Sequence, residues 1–144
     1  MLPEQPDSER NRYSRLESVV DEVLSEMRVL FVDDNTLSCR ISHRLLSDLG
    51  ATVQCATSGP EALEIAQSSE FDLIVLDCAM PGMSGFDVAK ELRSPGSRAE
   101  STRIVALAFS DDKCVRQRAQ AVGMEQVLCK PFSSESMLEL LQAK

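Results

Sequence analysis

Four charged side chains have the types and spacing to do chemistry together. Asp33 and Asp34 follow the apolar run Val29 to Val32, Asp77 closes the run Leu73 to Leu76, and Lys130 follows Gln126 to Cys129. Three carboxylates gathered in one place repel one another unless a cation joins them. An all-oxygen donor set of that kind favours a hard divalent ion, Mg²⁺ or Mn²⁺, which retains several waters. Lysine is a compact charge suited to a phosphoryl oxygen. A carboxylate held at such a metal, with a lysine opposite, can attack phosphorus and become an aspartyl phosphate. Each piece alone is ordinary, because a double Asp after a strand often only turns the chain and Lys-Pro after a strand is frequent. The weight lies in all four falling at the ends of strands.

The elements that carry these residues can be read from periodicity. Asp72 to Leu76 is mostly aliphatic and lacks period-2 alternation, the pattern of a strand buried on both faces of a parallel sheet. In open parallel sheets, ligands gather outside the carboxyl ends of the strands, where Asp77 would sit. Arg28 to Val32 and Ala51 to Ala56 are two further strands. Between them Leu37, Ile41, Leu45, Leu46 and Leu49 recur at helical spacing, with Gly50 as the stop. Ser58 to Glu61 reads as a capping box with Pro60 in the first turn, opening a helix to about Ser68. Ser84 and Asp87 can cap a helix to about Leu92, and a polar loop follows around Ser94 to Ser97. Arg103 to Ala108 is a fourth strand, Asp111 to Ala121 a helix, Gln126 to Cys129 a fifth strand and Ser133 to Gln142 a closing helix. This alternation predicts a doubly wound, five-stranded parallel α/β sheet. It occupies residues 27–144. Before it, residues 1–13 have the composition of a flexible tail. Leu16, Val19, Val20, Val23 and Leu24 mark an amphipathic helix that packs on its own domain, extends a linker, or forms a homodimer or partner contact through residues 14–26.

A chain of 144 residues, 43% hydrophobic and 26% charged, fits one globular domain with a real core. The net charge of −8 disfavours nucleic acid as a direct partner, which needs a basic face. No apolar run is long enough to span a bilayer, and the polar start is unlike a signal peptide. Cys39, Cys55, Cys78, Cys114 and Cys129 are odd in number and lack CxxC spacing, which points to reduced thiols of a cytoplasmic protein. Cys78 stands out because it follows Asp77. His43, the sole histidine, reads as a surface or packing residue on the first helix.

The chain resembles the receiver domains of two-component response regulators over residues 27–144. The resemblance rests on Val32 to Asn35, on Asp72 to Asp77 with Met80 to Gly85, on Ile104 to Leu107, on Gly123, and on Lys130 to Phe132. It implies a flavodoxin-like fold with sheet order 2-1-3-4-5. It implies that Asp77 is the phosphoacceptor, charged from the phosphohistidine of a histidine kinase or a histidine phosphotransfer protein. Asp34, Asp77 and the backbone carbonyl of Ala79 would then hold Mg²⁺, with Asp33 acting through a water. Lys130 and the backbone N–H of Cys78 would bind the phosphoryl group, and the Lys130–Pro131 peptide would be cis. Two positions depart from the family. Ala108 stands where it usually has Thr or Ser, and Val127 where it usually has an aromatic, so both movable parts of the usual switch are replaced. Ser110 offers a substitute hydroxyl. Ala79 and Ser110, both small, occupy positions that tune phosphoryl lifetime and would admit water to Asp77.

These features predict a phosphoacceptor that phosphorylates and dephosphorylates itself rather than an enzyme with a separate substrate. It would be a single-domain regulator, shuttle or sink with a downstream protein partner, and no output domain follows its last helix. One alternative is the receiver segment of a hybrid histidine kinase. Another is an interaction module independent of phosphorylation, against which the complete set Asp33, Asp34, Asp77 and Lys130 argues. An aspartyl phosphatase would need a second Asp where Ala79 stands, and a dinucleotide site would need a glycine motif missing after the first strand.

Overall fold

The computed structural model describes residues 25–142. Its strands are β1 (Arg28–Val32), β2 (Thr52–Ala56), β3 (Leu73–Asp77), β4 (Arg103–Ala108) and β5 (Gln126–Cys129). They form one sheet in the order β2-β1-β3-β4-β5, every pair parallel. The helices are α1 (Thr36–Asp48), α2 (Gly59–Ser68), α3 (Gly85–Leu92), α4 (Lys113–Ala121) and α5 (Ser134–Gln142). The expected fold and strand order are both present.

β3 is the centre of the sheet, buried at all of its residues, as a strand with helices on both faces must be. Alternate residues divide between two cores. Leu30, Val32, Ile74, Leu76, Ile104 and Ala106 face one side with Phe86, Val88, Leu92 and Met124. Val29, Phe31, Leu73, Val75, Val105 and Leu107 face the other with Cys39, Leu46, Met137 and Leu141.

Element boundaries follow local chemistry. α1 starts at Thr36 because Asn35 accepts from the Ser38 N–H at 3.0 Å. α4 starts two residues later than the spacing predicts, because Asp112 is spent as its cap, accepting from the Val115 N–H at 2.9 Å. Ser84 and Asp87 form a full capping box on α3, whereas the structure shows only the Ser58 half of the box at α2. β3 begins at Leu73 rather than Asp72, whose carboxylate instead accepts from the Arg28 N–H. Of the amphipathic helix expected over 14–26, residues 25 and 26 form a turn with Glu26 at φ 64°, and the remainder lies outside the described residues.

Candidate functional site

The register of the sheet brings the carboxyl ends of β1, β3 and β5 to one edge. β1 pairs with β3 through Val32 and Leu76, so Asp33 and Asp77 leave neighbouring strands side by side. Beyond β5, the Lys130 N–H donates to the Ala108 carbonyl at 2.8 Å, extending the ladder by one residue and turning the side chain toward the acids. The Lys130–Pro131 peptide is cis. Gly85, the first residue of α3, lies so close to the Asp77 carbonyl that any Cβ would collide with it.

Asp33 and Asp77 are buried and Asp34 is exposed. One oxygen from each of the three lies within 4.8 Å of the others. Asp77 Oδ1 accepts from the Ala79 N–H at 3.0 Å, and Oδ2 accepts from Lys130 Nζ at 2.9 Å. Asp33 Oδ1 accepts from the Asn35 N–H at 3.0 Å. Its Oδ2 lies 3.2 Å from the same ammonium, an ion-pair distance, yet is buried without a hydrogen bond of its own. A buried carboxylate oxygen left in that state calls for a further positive partner.

The electrostatics agree. Burial pushes the Asp77 carboxyl above its ordinary value, and Asp33 adds to the rise against the opposing bonds from Lys130 and Ala79. Burial works against the Lys130 charge, but its bond to Asp77 and the field of both acids outweigh it and raise the ammonium. One lysine therefore serves two buried carboxylates, with Asp34 beside them. The set is oxygen-only and suits a hard divalent cation.

Two expectations need correcting. The Cys78 N–H does not face the site, because it donates to the Leu107 carbonyl at 2.9 Å as part of the β3–β4 ladder. The amide beside the carboxylate is that of Ala79. The Ser110 hydroxyl does not substitute for one at Ala108, because it donates to Asp112 Oδ2 at 3.0 Å, within the cap of α4. Ala108 is buried at the end of β4 and Val127 is half-buried against the core under α3 and α4. Burial pushes the Cys78 thiol up to about 11, with Asp77 adding to it, so Cys78 is an inert neighbour. His43 is exposed on α1, 3.5 Å from the Ser47 hydroxyl, and takes no part.

Sequence reasoning missed Phe109. The residue is 78% exposed, and its ring centroid stands 5.0 Å from Lys130 Nζ. It forms the apolar rim of a cleft of about 540 Å³ that includes Asp33, Asp34, Asp77 and Lys130, with Ile41 and Phe132 also on the wall. A usable signal was present: in a chain only 4% aromatic, one Phe directly follows a buried strand at the edge where the acids gather.

A doubly wound parallel sheet of this order, with an acidic cluster and a lysine at its carboxyl edge, defines the receiver class. The chain belongs to the response regulator receiver domain family, whose model matches residues 29–142. Among relatives, it is 38% identical over 109 residues to ethylene receptor 2 of Oryza sativa subsp. japonica, covering 74% of this chain and 14% of the receptor. It is 33% identical over 122 residues to the aerobic respiration control sensor protein ArcB of Escherichia coli, covering 85% of this chain and 16% of the sensor. The chain thus spans a small part of these relatives. Among solved structures, the Vibrio cholerae chemotaxis protein CheY4 superposes with a TM-score of 0.77 at 36% identity, over 82% of this chain and 98% of that one. The receiver domain of a Pseudomonas aeruginosa sensor histidine kinase, with magnesium coordinated in its active-site cleft, superposes with a TM-score of 0.73 at 26% identity, over 82% of this chain and 96% of that one.

Proposed function

We propose that this receiver domain accepts a phosphoryl group on Asp77 from the phosphohistidine of a histidine kinase or a histidine phosphotransfer protein. The observation that carries this reading is the single ammonium of Lys130 bonded to Asp77 within a cluster of three carboxylates. An Asp77 oxygen forms a bond to phosphorus while the bond from phosphorus to the imidazole nitrogen breaks, and that nitrogen recovers a proton. Lys130 is placed to pair with a phosphoryl oxygen as negative charge gathers there. The Ala79 N–H, already donating to Asp77, holds the carboxylate's orientation.

The donor set and the unbonded Asp33 Oδ2 fit Mg²⁺, held by Asp34, Asp77 and the backbone carbonyl of Ala79 with Asp33 through water. When bound, the ion offsets the charge of the carboxylates and the incoming phosphoryl group. Mn²⁺ satisfies the same donors. Among the described residues no helix is long and apolar enough to cross a membrane. A cytoplasmic setting is part of this reading, and the free cysteines support it.

With Ala108 and Val127 at the two switch positions, the domain is better suited to passing a phosphoryl group on, or draining it, than to driving a large rearrangement. The same reading serves a single-domain protein or the receiver segment of a hybrid kinase, and the flanking gene sequence separates the two.

Intact mass after incubation with Mg²⁺ and acetyl phosphate tests the reading. A gain of about 80 Da that is absent in Asp77→Asn and absent without Mg²⁺ is expected. An equal gain in Asp77→Asn would overturn the assignment of Asp77. No gain in either protein would leave an interaction module independent of phosphorylation.

A further inference from the structure

Two thiols outside the acid cluster are placed against each other. Cys39 lies on the buried face of α1 and Cys55 on β2, which is an edge strand with one side free of the sheet. The Cys55 thiol reaches the Cys39 carbonyl at 3.5 Å. The Cys39 thiol donates to the Asp33 carbonyl at 3.1 Å and approaches the carbonyl of Ala56, the residue after Cys55, at 3.8 Å. Contact between the two thiols holds Cys55 below its ordinary value in spite of partial burial, and with burial it pushes Cys39 well above its own. Cys39 is buried, whereas Cys55 is half-buried. The site chemistry uses neither sulfur, yet one of them is bonded to the backbone of Asp33.

We propose that Cys39 and Cys55 form a peroxide-sensitive dithiol whose closure ties α1 to β2 and alters the acid cluster through the Asp33 carbonyl. The Cys55 sulfur attacks a peroxide oxygen, the O–O bond breaks, and one oxygen leaves as water while the other remains as a sulfenic acid. The Cys39 sulfur then attacks the Cys55 sulfur. The S–S bond forms, the S–O bond breaks, and the departing hydroxide takes the Cys39 proton as a second water. Two thiols and one hydrogen peroxide become one disulfide and two waters, the two electrons passing to peroxide. A thiol reductant reverses the reaction by exchange. In a reducing compartment such a bond is transient and regulatory rather than structural. Closure takes the Cys39 thiol from the Asp33 carbonyl, and that carbonyl belongs to the residue whose side chain completes the cluster. The effect on labelling rests on the phosphoacceptor reading above, whereas formation of the bond does not.

The test uses the full chain with the exposed Cys114 and Cys129 changed to Ser, treated with stepwise hydrogen peroxide. A loss of about 2 Da without dimerisation, and one cross-linked peptide joining Cys39 to Cys55 in a non-reduced digest, are expected. Acetyl phosphate labelling should fall about fivefold on oxidation, from the loss of one hydrogen bond, and return with dithiothreitol. In the same background Cys55→Ser should form no cross-link and keep its labelling under peroxide. A pair that stays reduced, a Cys55 carried on to sulfinic acid, or a cross-link through Cys78 would each overturn the dithiol. A Cys39–Cys55 bond with unchanged labelling would overturn the coupling to the cluster. If the reduced protein takes no label at all, the phosphoacceptor reading is what fails, and the peptide map still decides the dithiol.

Discussion

The two edges of the sheet both draw charge away from solvent, half-buried at one and buried at the other, and they treat it in opposite ways. At the amino edge, Arg93 donates to the carbonyls of Gly123, Ala99 and Glu100, and Arg103 donates to the Gln126 side chain and the carbonyls of Leu140 and Leu141. These hydrogen bonds go to neutral acceptors and tie loops and helix ends to the strands. At the carboxyl edge, one ammonium is shared by Asp33 and Asp77 with Asp34 beside them, and Asp33 Oδ2 has that ion pair but no hydrogen bond. A satisfied network contributes stability. An unsatisfied one with an excess of one charge sign is a standing cost that a ligand of the opposite sign removes. Partial burial of charge alone does not mark a functional site, but burial with a deficit does.

The comparison breaks most visibly at Arg93. Arg93→Ala removes a charged donor from three carbonyls and should cost about 3 kcal/mol. Gly123, held at φ +84° and packed against the arginine side chain, would lose its cover. Urea unfolding should show the loss, while labelling of Asp77 in the folded fraction stays as it was. A change in labelling with no change in stability would reverse the assignment of the two edges.

Lys130→Met tests the other edge. Removing one charge-assisted bond to Asp77 should slow labelling by roughly 10- to 100-fold. It also leaves Asp33 and Asp77 without their ammonium, so the variant should melt lower than the parent in chelator and recover with Mg²⁺. Melting curves with and without the metal measure both. Equal loss in both conditions would mean that the metal does not share the lysine's task.

A third prediction reverses the usual sign of a site mutation. The Asp77 carboxyl is raised in the fold above its ordinary 3.8, so the folded chain holds that proton more tightly than the unfolded one. Its contribution is favourable below about pH 4 and is lost as pH rises through the folded value. Without metal at pH 7, Asp77→Asn should therefore melt a few degrees above the parent, and the gap should close as pH falls toward 4. Asp111 behaves the other way. Arg116 holds it below its ordinary value, so its small contribution is present above that value and fades as pH falls. Saturating Mg²⁺ should favour the parent over Asp77→Asn, because only the parent keeps the full donor set. A parent that is the more stable at pH 7 without metal would contradict the charge deficit.

The fold and the charged cluster were legible for related reasons. Unbroken aliphatic runs mark strands buried on both faces, and a charged residue at the end of such a run has to emerge at the sheet edge. Asp33, Asp77 and Lys130 announced themselves in that way. What escaped depended on which of two neighbouring groups takes a bond. The Cys78 N–H and the Ser110 hydroxyl have the right positions in the chain, yet the Leu107 carbonyl and the Asp112 cap claim them. Neither competition leaves a trace in periodicity. The start of α4 shifted for the same reason, since the Asp112 carboxylate takes the Val115 N–H and so caps the helix instead of lying within it.

Phe109 carries the smallest effect and the most specific one. Small residues at Ala79 and Ser110 would by themselves leave Asp77 open to water and its phosphoryl group short-lived. The Phe109 ring stands at the mouth of the cleft with its centroid 5.0 Å from the Lys130 ammonium, where it can hold the lysine and cover one side of it. A cation–π contact at an exposed site contributes about 0.5–1 kcal/mol. Phe109→Ala should then shorten the phosphoryl lifetime by about two- to fivefold, with thermal stability unchanged because the ring is mostly in solvent. Following the decay of the added mass after donor removal measures this directly. Phe109→Leu separates the two contributions: it keeps the apolar cover and loses the π face, so a lifetime restored by Leu assigns the effect to excluded water. A lifetime that stays short in Leu assigns it to the hold on Lys130. A lifetime unchanged in both variants would return the rim of the cleft to a purely structural part and leave lifetime to Ala79 alone.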